Sequence, residues 1–304
     1  MTARLGVLRE LDWLGLFLLS FVAPIAYDAW RPLTYATSLL FWLVPTLLLW
    51  PRFSALTDQG GRRRMAFVVS VVHIVVLGLV LDFVFGRQVL EFDKSDLAYL
   101  KVLHVSRLGA RVPIEEVLFY ILGPIAILLV YVWCDEYWMA AYNLVSLRID
   151  RALGGTRLIG FSTRALALGL ALEAAGILIA RQHNGHRAVY YTFLVLVAFV
   201  PATILFGCVR DLVNWRAFGV TLLYLVLTSL IWEAALALPR GWWWYQDSAM
   251  IGIHVGALTH VPERTLPLEA VLVWICAPFS IVLAYETVKA WLYGRDPNKP
   301  VFVP

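Results

Sequence analysis

The chain has 304 residues, of which 61% are hydrophobic and 15% are charged, and it includes 13 Trp, 13 Tyr and 16 Phe. Soluble domains average about 45–50% apolar and about 25% charged residues, and disordered chains have few aromatic residues, so both classes are excluded. The net charge of +4 includes no basic run longer than Arg62-Arg63-Arg64, and the three cysteines lack CxxC spacing. These features exclude a nucleic-acid-binding protein and a disulfide scaffold, and the composition predicts an integral membrane protein.

Eight stretches are long and apolar enough to form transmembrane helices, each of which needs roughly 20 mostly apolar residues. In chain order they are about 12–28, 33–50, 65–85, 113–134, 162–181, 188–208, 217–238 and 267–290. Arg4 and Arg9 precede the first stretch, as in a signal peptide, but we expect this stretch to be an uncleaved anchor. The sequence therefore predicts an all-α polytopic membrane protein.

The distribution of Lys and Arg predicts the orientation of these helices. With eight spans, 15 of the 25 Lys and Arg residues fall on the side that holds both termini. Five of the other ten lie between Arg87 and Arg111. Because cytoplasmic loops carry an excess of basic residues, we expect both termini in the cytoplasm of a cell-membrane protein.

The chain contains an internal repeat at an offset of 154 residues. Residues 113–118, PIEEVL, return as PLEAVL at 267–272, and Pro124 and Tyr131 meet Pro278 and Tyr285. Over 113–131 and 267–285, nine of 19 positions are identical. Chance matches between apolar helices do not explain two prolines, a glutamate and a tyrosine in register.

The repeat extends upstream with small gaps. Asp82 meets Glu233 at an offset of 151, and Tyr35 meets Tyr191 at an offset of 156. We therefore predict a first four-helix repeat at 1–138, a polar linker at 139–161 and a second four-helix repeat at 162–304. Four helices per half give both repeats the same orientation, so their axis would follow the membrane normal and their interface is the expected site.

Carboxylic acids within or beside the spans are the first candidates for chemistry, because an ionisable residue inside a membrane is costly. Asp82 and Glu233 are helix-end carboxylates at matching positions, although such side chains also reach the membrane interface. Glu115, Glu116 and Glu269 follow a proline at a helix start, where acids also simply favour the helix dipole. Their duplication favours a functional role.

Aromatic residues surround these acids. Burial among Phe119, Tyr120 and Trp274 would help a carboxylic acid to keep the proton that a general acid needs. The segment 241–245, GWWWY, includes Trp243 and Tyr245, which would either anchor the chain in the headgroup layer or form a π-rich wall for a polyene or a cation. No metal-ligand spacing and no glycine-rich phosphate loop is present, so no cofactor is predicted.

This order of residues resembles the lycopene cyclase domain of the membrane-bound, flavin-independent carotenoid cyclases, which occur as two small subunits or as one fused chain. The second copy reads Glu233, Trp243, Tyr245, Gly252, Pro267-Leu268-Glu269, Val273-Trp274, Pro278 and Tyr285-Glu286. The first reads Asp82, Phe85, Pro113-Ile114-Glu115-Glu116, Phe119-Tyr120, Pro124 and Tyr131. Two departures stand out: Ala270 replaces the second glutamate of the motif, and the first copy lacks the Trp-x-Tyr segment.

The resemblance implies an enzyme that converts the linear ψ-end of lycopene, taken from the bilayer, to an ionone ring without net redox. It implies Glu115 or Glu116 as the acid, and Glu269, Asp82 and Glu233 as bases or cation stabilisers. Phe119, Tyr120, Trp243, Tyr245 and Trp274 would contact the substrate. Two alternatives stay open: a carotenoid hydratase that uses the same cation, and a non-enzymatic carotenoid-binding protein whose acids pair with Arg107 and Arg111.

Overall fold

The computed structural model describes residues 12–56, 61–92, 113–139, 162–183, 188–256 and 265–294. Within these ranges it contains eight helices that are long and apolar enough to cross a membrane, which confirms the predicted all-α membrane fold. They are α1 (Asp12–Trp30), α2 (Tyr35–Ser54), α3 (Arg62–Phe85), α4 (Ile114–Trp138), α5 (Thr163–Gln182), α6 (Val189–Phe206), α7 (Trp215–Arg240) and α8 (Leu268–Leu292).

The local sequence explains where the site-bearing helices begin and where they widen. α4 follows Pro113, whose backbone is extended and whose missing N–H costs nothing at a helix start. Asp82 lies in a π-helical turn, Leu81–Phe85, and Glu233 lies in another, Leu230–Ala237. Such turns frequently occur at functional sites, but α1, α4 and α6 contain them too, so the turns alone do not single out the two acids.

The helices of the two halves pack in matching pairs. In the first half α2 packs on α4, and in the second half α6 packs on α8. α3 packs along α8, while its equivalent α7 packs along α4. α3, α4, α7 and α8 therefore form a central bundle, and α1 and α5 lie outside it. Residues 140–161 are not among the described residues, so the linker at 139–161 and the repeat boundaries 1–138 and 162–304 stay predictions.

A short two-stranded sheet closes one end of the central bundle. Strand β1 (Leu90–Phe92) follows α3, and strand β2 (Trp243–Tyr245) follows α7. They pair antiparallel, with Leu90 opposite Tyr245 and Phe92 opposite Trp243. Matching segments of the two halves are thus joined to each other.

A buried ionic cluster connects α4 and α8 at the other end of the bundle. Lys289 Nζ lies 2.7 Å from Glu286 Oε1 and 4.0 Å from Asp135 Oδ2, and all three residues are at most 2% exposed. Tyr131 donates a hydrogen bond to Glu286, and the Asn214 amide donates one to Asp135. Asp135 and Lys289 are 154 residues apart, so the pair joins matching positions of the two halves.

Lys289→Met is expected to destabilise the protein by about 3–5 kcal/mol, because it leaves two buried carboxylates without their cation. Thermal unfolding in detergent measures the loss. Arg210→Met is the matched control: Arg210 is 60% exposed in a surface ion pair with Asp211, so we expect a change of at most about 1 kcal/mol. Adding Asp135→Asn and Glu286→Gln to Lys289→Met should restore part of the stability. A Lys289→Met protein that melts like the control would contradict this role.

Candidate active site

Three buried carboxylic acids converge between the helix ends near the sheet. They are Asp82 of α3, Glu116 of α4 and Glu233 of α7, which are 1%, 6% and 4% exposed. None of the described Lys or Arg residues forms an ion pair with them. Their hydrogen bonds come instead from aromatic side chains.

Two tyrosines serve the acids of the first half. The Tyr35 hydroxyl, at the start of α2, donates a hydrogen bond to Oε2 of Glu116. The Tyr120 hydroxyl donates to Oδ1 of Asp82 at 3.2 Å and lies beside Glu116 as well. Tyr120 therefore connects Asp82 to Glu116, and Oδ2 of Asp82 has no hydrogen-bond partner among the described residues.

Glu233 accepts hydrogen bonds on both carboxylate oxygens. Trp274 Nε1 of α8 donates to Oε2 at 3.0 Å, and the Tyr245 hydroxyl of β2 donates to Oε1. Tyr245 lies outside the spans, and its burial beside Glu233 raises the pKa of its phenol well above the ordinary value, so it stays a donor. Trp274 occupies the position that matches Tyr120, so each half pairs its π-turn acid with an aromatic donor from the next span.

Glu116 and Glu233 line one apolar cavity between the halves. The empty space between its walls, including the space open to the outside, is about 1060 Å³. Matching residues of the two halves line it together, such as Gly78 with Ser229 and Tyr120 with Trp274. Both halves therefore contribute to the walls of this cavity.

The two cavity-facing acids come from different positions in their halves. Ala270 occupies the position that matches Glu116, so α8 contributes no acid there. At the other matched position Glu233 lines the cavity, whereas the shorter Asp82 does not line it. The halves therefore contribute two unlike carboxyl groups to one site.

An aromatic wall forms one side of the cavity. Trp232 lies at its centre, with ring centroids 4.8 Å from Phe119, 5.6 Å from Trp42 and 5.1 Å from Trp243. Trp232 Nε1 donates to Ser38 Oγ at 2.8 Å, which fixes the ring. The faces of such rings attract positive charge, and the attraction is stronger where water is excluded.

Most of the residues predicted from the sequence meet in this cavity. Its lining includes Glu116, Glu233, Phe119, Tyr120, Trp243, Tyr245 and Trp274. Glu115 and Glu269, which occupy matching positions, do not line it. Glu269 instead accepts a hydrogen bond from the backbone N–H of Ile251 at 2.6 Å, while Glu115 is buried with one oxygen unpartnered among the described residues.

Sequence reasoning missed three residues of the site: Tyr35, Trp42 and Trp232. The match between Tyr35 and Tyr191 was a signal for the first, and the position next to Glu233 was a signal for Trp232. Arg107 and Arg111, the suggested partners of the acids, lie outside the described residues. In the described ranges, no group of three His, Cys, Asp or Glu side chains could hold a metal ion, and cofactor independence stays a prediction.

Fold and site together define a polytopic membrane protein whose two halves enclose an apolar, acid-containing cavity. The sequence model of the family described as Lycopene cyclase matches residues 32–134 and, a second time, residues 187–288, well over half of the chain. The chain belongs to the lycopene cyclase family, and it is an enzyme that cyclises lycopene. Comparison with curated proteins and with solved structures finds no match.

Proposed function

We propose that the shared cavity converts the ψ-end of a linear carotenoid such as lycopene to an ionone ring by acid-base carbocation chemistry without net redox. The observation that carries this proposal is the placement of two carboxyl groups, Glu116 and Glu233, in one apolar cavity with an aromatic wall. A proton donor and a proton acceptor on one substrate are what an isomerisation through a cation requires.

Glu116 is the proposed general acid. It lies beside Asp82, and no described cation pairs with either group. Carboxyl groups that share a buried site cannot all be ionised, because desolvation and mutual repulsion both penalise the charged form. The pair therefore retains a proton, which Glu116 delivers from the cavity wall to the terminal double bond. Tyr35 and Tyr120 hold the two carboxyl groups in place.

Ring closure follows within the aromatic wall. Protonation gives a tertiary cation, which the faces of Trp232 and Phe119 stabilise. The neighbouring alkene attacks this cation, a carbon–carbon bond closes the ring, and the positive charge moves onto a ring carbon. Glu233 then removes a ring proton. Both of its oxygens accept hydrogen bonds, as suits an ionised, acceptor-only carboxylate. One proton enters and one leaves, so the product is an isomer of the substrate.

Expression in cells that accumulate lycopene tests this function. The pigments are separated by chromatography, and their molecular masses are measured by mass spectrometry. Cyclisation gives a new pigment with the mass of lycopene, which is the expected result. A pigment heavier by one water would support a hydratase, and unchanged lycopene beside folded, membrane-inserted protein would support a binding protein; either would contradict the proposal.

We also propose that the protein lies in the cell membrane with both termini in the cytoplasm, which places the acids near the opposite face. The excess of Lys and Arg on the side of the termini supports this orientation. A reporter fused after Pro304 that is active only outside the cytoplasm should remain inactive. An active reporter would show that the C-terminus lies outside the cytoplasm and would contradict this orientation.

The reaction is expected to need no added nucleotide, flavin or metal ion, because proton transfer alone balances it. Protein purified in detergent, dialysed against a chelator and stripped of flavin should keep its turnover of lycopene. Activity that disappears on this treatment and returns when one of these compounds is added back would contradict the prediction.

A further inference from the structure

The two outermost helices break the two-fold relation between the halves. α1 packs on α2 and also reaches α7: the Phe21 ring lies 5.4 Å from the Tyr224 ring, and Asp28 forms an ion pair with Arg240. α1 therefore covers the seam between α2 and α7.

The equivalent helix α5 packs on α6 but not along α3 in the described part of the chain. Its glycines allow that close contact, since a Cβ on Gly176 would lie 2.1 Å from the Tyr191 ring. Among the described residues, therefore, no helix covers the seam between α3 and α6, which matches the covered seam. His73 of α3, which matches the buried Tyr224, is exposed.

This uncovered seam leads into the cavity. Leu77 and Gly78 of α3 and Phe193 and Val197 of α6 line the cavity and are half-buried. Nearer the sheet, Leu81 of α3 and Leu194 of α6 belong to one buried cluster. The four residues beside this cluster, Leu77, Gly78, Phe193 and Val197, lie within the spans α3 and α6 and are all apolar.

We propose that the seam between α3 and α6 is the portal through which the substrate's ψ-end enters, and the groove in which its polyene chain lies during reaction. This inference rests on the proposed function. A linear polyene is dissolved in the hydrocarbon layer, so a lateral apolar opening admits it without a water-filled path. This cavity and its seam hold one ψ-end at a time, so a substrate with two ψ-ends is cyclised in two separate binding events.

The portal is tested by narrowing it. Leu77→Trp and Val197→Trp place a large ring in the seam, and we expect each to lower kcat/KM for lycopene in detergent or liposomes about tenfold or more. Val76→Trp and Leu196→Trp are the matched controls on the same two helices, because these residues are 51% and 55% exposed and do not line the cavity. The controls should keep wild-type kcat/KM.

A second measurement separates blocking from misfolding. Leu77→Cys and Val76→Cys proteins are folded first and then treated with a bulky lipid-soluble maleimide, beside wild-type protein to account for the native cysteines. Modification should remove turnover only in Leu77→Cys. A time course from wild-type protein should show free one-ring product before the two-ring product.

The outcomes distinguish this inference from the function on which it rests. If wild-type protein cyclises lycopene while the seam and control variants have the same kcat/KM, the assignment of the seam as the portal is wrong and the proposed function is kept. Direct formation of two-ring product without free one-ring product would overturn the single-site part. If wild-type protein forms no cyclic pigment, the proposed function itself fails.

Discussion

Glu116→Gln is expected to lower the rate of ring formation by about 10²–10⁴-fold, the usual contribution of a positioned general acid. The amide keeps the size of the side chain and can still accept the hydrogen bond from Tyr35, but it has no proton to deliver. Conversion of lycopene by purified protein, followed by chromatography, measures the loss. Size-exclusion profiles and melting temperature should match the wild type.

Glu115→Gln and Glu269→Gln are the matched controls for this variant. Both residues lie in the same Pro-x-Glu motifs at helix starts, yet neither lines the cavity. An acid that only favours a helix N-terminus contributes about 0.3–1 kcal/mol to stability, so we expect both controls to keep most of their turnover. Near-normal turnover in Glu116→Gln would place the acid elsewhere, with Asp82 the next residue to test.

Glu233→Gln is expected to cause a comparable loss, of about 10²–10⁴-fold, but with a different set of products. The cation still forms when Glu116 is intact, while the base that removes the ring proton is absent. Residual turnover should therefore include pigment in which water has captured the cation. Mass spectrometry distinguishes this pigment, since it is heavier by one water.

Glu173→Gln is the control for Glu233→Gln. Glu173 is also a carboxylate inside a span, but it accepts a hydrogen bond from Thr192 between α5 and α6 and does not line the cavity. We expect it to keep wild-type turnover and products. Equal losses in the two variants would show that removing any intramembrane carboxyl group damages the protein, and would contradict the specific role of Glu233.

The helices were predictable because a membrane leaves few choices. Every backbone polar group in the hydrocarbon layer must be satisfied within the chain, so an apolar stretch of sufficient length becomes a helix. The eight stretches read from the sequence match the eight spans to within a few residues. The matched acids Asp82 and Glu233 were also found from the repeat, and both fall in π-helical turns beside the site.

The separation of Glu116 from Glu115 was not predictable from the sequence. Successive residues of a helix with 3.6 residues per turn point about 100° apart, so only the rotation of α4 within the bundle decides which one faces the cavity. That rotation is set by packing against α2 and α3. The Tyr35 contact and the pairing of β1 with β2 are similarly long-range, joining Tyr35 to Glu116 and Leu90 to Tyr245.

Isotope labelling tests the central claim, that ring formation adds one solvent-derived proton to the substrate and removes one of the substrate's own protons, without redox. Protein equilibrated in D₂O is mixed with an amount of lycopene smaller than the amount of protein, so that each molecule turns over once. The mass of the cyclic product is then measured by mass spectrometry. The account predicts one deuterium in the product for each ring formed, and none in lycopene incubated with Glu116→Gln. A cyclic product without deuterium, or one that has lost two hydrogens, would contradict it.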